Sequence, residues 1–133
     1  MIFVDTGAWY AMATPSDRDH ERAKAFIAAN TEPLVTSDYI VDELLTLFIV
    51  RGQKSKGFEW RRDVLEAGGT KLTRVSEEDF ANALRIYEQF ADKQWSFTDC
   101  TSYVLMQRLA LHKAFAFDDL FRQFGTVNVL PAD

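Results

Sequence analysis

Short apolar runs alternate with stretches of helical periodicity, and that alternation constrains this chain more than any other feature. Residues 1–4 form an apolar run that stops abruptly at Asp5, as a buried strand does. Residues 34–36, 71–75, 114–117 and 126–130 read as four further strands. Gly7 is read as a sharp turn before the apolar stretch 8–12. A helix is expected over residues 17–30, with Ala23, Phe26 and Ile27 at helical spacing. Ser37 is a fitting N-cap for a second helix that ends near Gly52. Residues 54–66 are predicted helical and ended by Gly68 and Gly69. Ser76 with Asp79 resembles a capping box ahead of Phe80, Leu84, Tyr87 and Phe90. Thr98 is expected to cap a largely buried helix over 99–111, and Gly125 to close a short one over 118–124. Strands alternating with helices in this way predict a three-layer α/β/α fold with a mostly parallel central sheet.

The length, 133 residues, fits a single domain spanning 1–133. Hydrophobic residues at 47% and aromatic residues at 14% exclude a disordered chain. Fifteen basic against twenty acidic residues give a net charge of -5, which argues against gripping nucleic acid with the whole surface. Local RNA binding beside an acidic, cation-holding pocket remains compatible with it. The single cysteine, Cys100, offers no internal disulfide. The first residues lack the pattern of a signal peptide, and no window approaches the roughly 18 apolar residues that cross a bilayer. A cytoplasmic protein without membrane contact is the expectation.

In a parallel sheet flanked by helices, functional groups collect beyond the carboxyl ends of the strands. Asp5 directly follows the first predicted strand, and Asp118 the fourth. Asp99 falls in the first turn of a predicted helix, and Glu43 one and a half turns into the helix after the second strand. Four carboxylates so placed can converge, and their mutual repulsion calls for cations. Hard oxygen ligands select Mg²⁺ or Mn²⁺. Such ions lower the pKa of a bound water and clamp a phosphodiester for in-line attack. Singly, each acid also has an ordinary reading as a surface charge, or, for Asp99 and Asp118, as a helix N-terminal charge.

Four blocks carry a family likeness: MIFVDTGAWY from position 1, VTSDYIVDELLTL from 35, SFTDCTSYVLM from 96 and AFDDLFRQFG from 116. In these the chain resembles the PIN-domain family, and within it the VapC-type toxins, over essentially its whole length. The resemblance matches the family's four acids to Asp5, Glu43, Asp99 and Asp118. It implies an endoribonuclease dependent on Mg²⁺ or Mn²⁺, acting as the toxin of a toxin–antitoxin pair. It further implies a homodimer, a cognate antitoxin that blocks the site, and cleavage to a 5′-phosphate and a 3′-hydroxyl. On that basis Asp5, Asp99 and Asp118 are the expected metal ligands, and Glu43 the group that orients or deprotonates water. Asp42 and Asp119 neighbour matched acids, which leaves a shift of one position open at both. Gly7 stands where relatives often carry Ser, which would pass any hydroxyl role to Thr6 or to water.

Other readings are weaker. The string Asp5-Thr6-Gly7-Ala8 also fits the catalytic loop of aspartic proteases, but those are all-β. A phosphoacceptor domain would want an acidic pair ahead of Asp5, and none is there. A PIN-like binding module without catalysis, or a housekeeping RNA-processing nuclease, stays as the alternative. The basic stretch 51–62 sets Arg51, Lys54, Lys56, Arg61 and Arg62 against one acid, with Phe58 and Trp60 between them. It reads equally as a solvated helix face or as an RNA-binding strip that tracks phosphates and stacks a base. Trp9 and Tyr10 rim the pocket, pack in the core or make dimer contacts. His20, His112 and Cys100 are expected to be structural.

Overall fold

The computed structural model describes residues 1–132. Five strands, β1 (Ile2–Val4), β2 (Leu34–Ser37), β3 (Thr70–Thr73), β4 (Lys113–Phe115) and β5 (Asn128–Leu130), form one sheet in the order β3-β2-β1-β4-β5. Each pairs in parallel with its neighbours, so the mostly parallel sheet expected is parallel throughout. Parallel strands covered on both faces need continuous apolar runs. Ile2, Phe3 and Val4 meet that requirement, all three being buried.

Successive strand residues point to opposite faces, which sorts the layers. Phe3 pairs with Ala114 and Val4 with Phe115. Phe115 packs on Phe26 of α2 (His20–Ala29), with ring centroids 4.4 Å apart. Phe3 packs on Phe121 of the short helix α7 (Leu120–Gln123), on the opposite face. Phe121 continues through Phe124 to Tyr103 of α6 (Phe97–Arg108). The sheet is thus sandwiched between helices, as the alternation in the sequence predicts.

Local chemistry explains most of the helices. Ser37 caps α3 (Asp38–Val50), its Oγ accepting the Ile40 N–H at 3.0 Å. Ser76 and Asp79 form the predicted capping box at the start of α5 (Glu77–Gln89). The helix predicted over 54–66 is α4 (Lys54–Trp60) running into a π-helical turn, Arg61–Glu66. Gly68 and Gly69, at φ +89° and +84°, then reverse the chain into β3.

Three local expectations are corrected. Gly7 makes no turn: α1 (Thr6–Ala13) starts immediately after Asp5 and includes it. Thr98 does not cap α6; Ser96 does, and the helix starts two residues earlier than expected. At its other end α6 stops at Arg108, because Ala110 adopts φ +53° and the Leu111 N–H turns back to the Met106 carbonyl at 2.9 Å.

Candidate active site

The strand order places a topological switch beside β1. From β1 the chain builds outward through β2 and β3, then returns to lay β4 on the other side of β1. Crevices at the carboxyl ends of strands flanking such a reversal are where α/β folds collect ligands. Asp5 stands at that point. Its N–H donates to the Phe115 carbonyl at 3.0 Å, tying the end of β1 to the end of β4. Its own carbonyl accepts from Ala8 and Trp9, both at 3.1 Å, and so starts α1.

Only 6% of Asp5 is exposed. Burial pushes its carboxyl up to about 8, helped by the negative charge of Asp99 and, more weakly, of Glu43 and Asp118; a hydrogen bond from the Thr6 backbone works the other way. The other three sequence-predicted acids therefore converge electrostatically on Asp5.

Asp99 is fixed by its helix. It is the third residue of α6, and its N–H donates to Ser96 Oγ at 3.1 Å while its Oδ2 accepts the Ser96 N–H at 2.8 Å. Burial raises its pKa, the Ser96 hydrogen bonds lower it, and the charges of Glu43 and Asp118 raise it again, for a net upward shift. Sequence reading missed Ser96, although Ser96-x-x-Asp99 spells the same pattern as Ser76-x-x-Asp79.

Glu43 is half-buried on α3, whereas Asp42 is exposed. Asp118 lies beyond Ala116 and Phe117, outside β4, so it does not follow that strand as directly as Asp5 follows β1. Its Oδ1 accepts the Leu120 N–H at 3.1 Å, a local turn that presents it ahead of α7. Asp119 is paired with Arg122 at 3.0 Å. The charges of Asp99, Glu43 and Asp118 raise the Asp5 carboxyl, and those of Glu43 and Asp118 raise the Asp99 carboxyl.

Among the described residues no group of three acids or histidines is close enough to enclose a metal ion by itself. Mg²⁺ has no need of such a cage, because it keeps several waters and takes one or two carboxylates. The donor set here, all oxygen and mutually repelling, has that chemistry. Thr6, also 6% exposed, has a buried Oγ1 with no hydrogen-bond partner among the described residues. An orphaned hydroxyl beside Asp5 fits a site whose remaining partner is a water or an ion.

The basic stretch is divided in its contacts. Arg51 lies over the Tyr10 ring, 5.0 Å from its centroid, and Lys56 Nζ donates to the Ala13 carbonyl at 3.1 Å. Arg61 pairs with Glu66 at 2.8 Å and Arg62 with Asp63 at 3.1 Å, both at the surface, and Lys54 is exposed. Trp9 and Tyr10 belong to the core: Trp9 packs edge-on to Trp60, and Tyr10 donates to Gln53 Oε1 at 2.8 Å. His20 bonds the Ala11 carbonyl through Nδ1 at 2.7 Å. Burial, then the nearby Asp99 charge, pushes the Cys100 thiol up to about 11, which makes it packing and not a nucleophile.

Comparison with known proteins gives one consistent likeness. A family model described as the PIN domain matches residues 2–127. The 23S rRNA-specific endonuclease VapC20 of Mycobacterium tuberculosis is 30% identical over 138 residues, covering 98% of this chain and 99% of that one. The crystal structure of M. tuberculosis VapC20, a sarcin-ricin loop cleaving toxin, superposes with a TM-score of 0.89 at 26% identity, over 96% of this chain and 97% of that chain. FitAcB from Neisseria gonorrhoeae shares the fold, with a TM-score of 0.69 at 19% identity over 97% and 96% of the two chains.

Proposed function

The chain belongs to the PIN-domain family, and from that premise we propose that it is a toxin endoribonuclease that hydrolyses RNA at the Asp5 site. The observation that carries the reading is the burial of Asp5 among the charges of Asp99, Glu43 and Asp118. The ionised form of an acid held so far above its usual range is disfavoured unless something positive relieves it.

Asp5 and Asp99 are the principal holders of Mg²⁺ or Mn²⁺, directly or through water, with Asp118 completing the set. When bound, the ion supplies charge neutralisation at the phosphate and a more acidic water. The Ser96 N–H occupies one Asp99 oxygen, which orients the other for a ligand. Glu43 orients the attacking water and takes its proton. The water oxygen bonds to phosphorus, the P–O3′ bond breaks, and the departing 3′-oxygen takes a proton from solvent water, leaving a 5′-phosphate and a 3′-hydroxyl. Arg51, Lys54, Lys56, Arg61 and Arg62 serve as the RNA-tracking strip. The exposed ion pairs of Arg61 and Arg62 are cheap to exchange for phosphate contacts.

By similarity to VapC20, the substrate class is a structured loop of ribosomal RNA. A cognate antitoxin, a homodimeric state and a cytoplasmic location complete the proposal. None of the described helices is long and apolar enough to cross a membrane. Inducible expression in a bacterial host tests the toxin reading. Growth arrest by the wild type that is absent with Asp99→Asn, at equal protein levels, supports it. Equal growth with both contradicts it.

A further inference from the structure

A cavity of about 810 Å³ opens between the end of α5 and the start of α6. Tyr87, Phe90, Trp95 and Phe97 line it, with Lys93 and Ser96 among its polar groups. The aromatic set is held by a network behind it. Trp95 Nε1 donates to Gln123 Oε1 at 2.8 Å, and its ring rests 5.0 Å from Phe124 and 4.8 Å from Phe90. Phe97 packs on Phe80, 5.1 Å away. Tyr87, by contrast, is 56% exposed.

The cavity adjoins Asp99 through the start of α6. Ser96, which lines it, donates its N–H to Asp99 at 2.8 Å, and Cys100, the residue after Asp99, lines it too. We propose that this cavity binds one unpaired nucleobase of the substrate RNA, next to the phosphodiester presented to the acids. The proposal rests on the ribonuclease reading above.

The physical argument is one of sign and shape. With a net charge of -5 and four carboxylates at the cleavage point, the protein repels phosphate where it must bind RNA. Without bound metal, affinity near the cut then has to come from the base instead of the backbone. A base has a flat π-face, which stacks on aromatic rings, and a polar edge, which the Lys93 ammonium and Ser96 hydroxyl can meet. Only an unpaired base can enter. The cavity therefore selects looped over duplex RNA and sets which nucleotide lies beside the scissile bond.

The test is fluorescence anisotropy of a labelled stem–loop RNA and of the matching duplex, in EDTA so that binding is read without cleavage. Wild type is compared with Tyr87→Ala and Tyr87→Phe. The expected result is stem–loop binding weakened roughly 5- to 150-fold by Tyr87→Ala, the range one base–aromatic stack supplies. Tyr87→Phe retains binding, and duplex binding does not change. An abasic nucleotide at one loop position should weaken wild-type binding to the same level and leave Tyr87→Ala insensitive. Equal affinity of wild type and Tyr87→Ala overturns the proposal. So does an equal loss on loop and duplex, or a change in molar mass of Tyr87→Ala by light scattering, which would make the face a protein interface. Cleavage by wild type in Mn²⁺ is scored separately. If it occurs while Tyr87→Ala binds normally, the cavity assignment fails and the nuclease reading stands.

Discussion

Ser96 and Asp99 hold each other through two hydrogen bonds, N–H to Oγ at 3.1 Å and N–H to Oδ2 at 2.8 Å. The pair starts α6 and, in the same act, aims a carboxylate at the switch point of the sheet. Ser76 and Asp79 form the same box at α5, where Asp79 is paired with Arg108.

That duplication makes an internally controlled prediction. Ser96→Ala and Ser76→Ala each remove one N-cap and are each expected to cost about 1 kcal/mol of stability. Only Ser96→Ala should also lower kcat for RNA cleavage, because only there does the capping partner belong to the site. Thermal melts and single-turnover rates on both variants check this. Equal rates for the two would detach the cap from the chemistry.

Asp5 sets a pH dependence of folding. Its carboxyl ionises near the ordinary 3.8 when unfolded and at about 8 when folded. Between those values the folded state holds a proton that the unfolded state has lost, so stability falls as pH rises from about 4 to about 8. The slope from this group is at most about 1.4 kcal/mol per pH unit. Asp5→Asn removes the penalty. In EDTA its melting temperature should exceed that of wild type at pH 8, with the gap closing toward pH 5. A gap that does not depend on pH would contradict the assignment.

Metal should invert that picture. Mg²⁺ or Mn²⁺ bound to ionised Asp5 and Asp99 raises the melting temperature at pH 8, through binding to the folded state alone. EDTA should reverse the gain, and Asp99→Asn should abolish most of it. A melting temperature indifferent to both ions would remove the metal from the account.

A half-buried ion pair elsewhere predicts the opposite pattern. Arg108 grips Asp79 with Nε and a terminal nitrogen, at 2.9 and 2.8 Å. Asp79 is only 2% exposed. Burial pushes its carboxyl up, but the hydrogen bonds from Arg108 and Ser76 outweigh it and hold the pKa below the usual range. Stability from this group is therefore present above the ordinary carboxylate pKa and is lost as pH falls through the lowered one. Arg108→Ala leaves a buried acceptor short of donors, at a cost of about 1–3 kcal/mol, while kcat stays at the wild-type value. Urea titration and the cleavage assay together check both halves.

Much of this was legible in the sequence, for identifiable reasons. An apolar run ending at Asp5 marked both a strand and the buried acid at its end, because burial on two faces leaves no polar position inside. The caps at Ser37 and Ser76 were legible from side-chain chemistry alone. What failed was local competition. Ser96 and Thr98 are both capable caps, and only the reciprocal bond with Asp99 decides between them. Gly7 suggested a turn, yet an Asp5 carbonyl accepting from both Ala8 and Trp9 makes it helical. The convergence of the acids followed from their places at strand ends and helix starts, whereas the strand order that puts β1 and β4 side by side is specified by no local pattern. The aromatic cavity was invisible because Tyr87 and Phe90 read as an ordinary helical stripe.

The central claim is that Asp5, Glu43, Asp99 and Asp118 form one hydrolytic site for RNA. The most direct measurement is cleavage of a total cellular RNA pool by purified protein in Mg²⁺, Mn²⁺ or EDTA, with ends mapped and Asp99→Asn in parallel. The account predicts discrete cuts with 5′-phosphate ends that need metal and fall at least 100-fold in the variant (about 2.7 kcal/mol of barrier). Cleavage by Asp99→Asn at the wild-type rate, or no cleavage by folded, antitoxin-free protein in either metal, would contradict it.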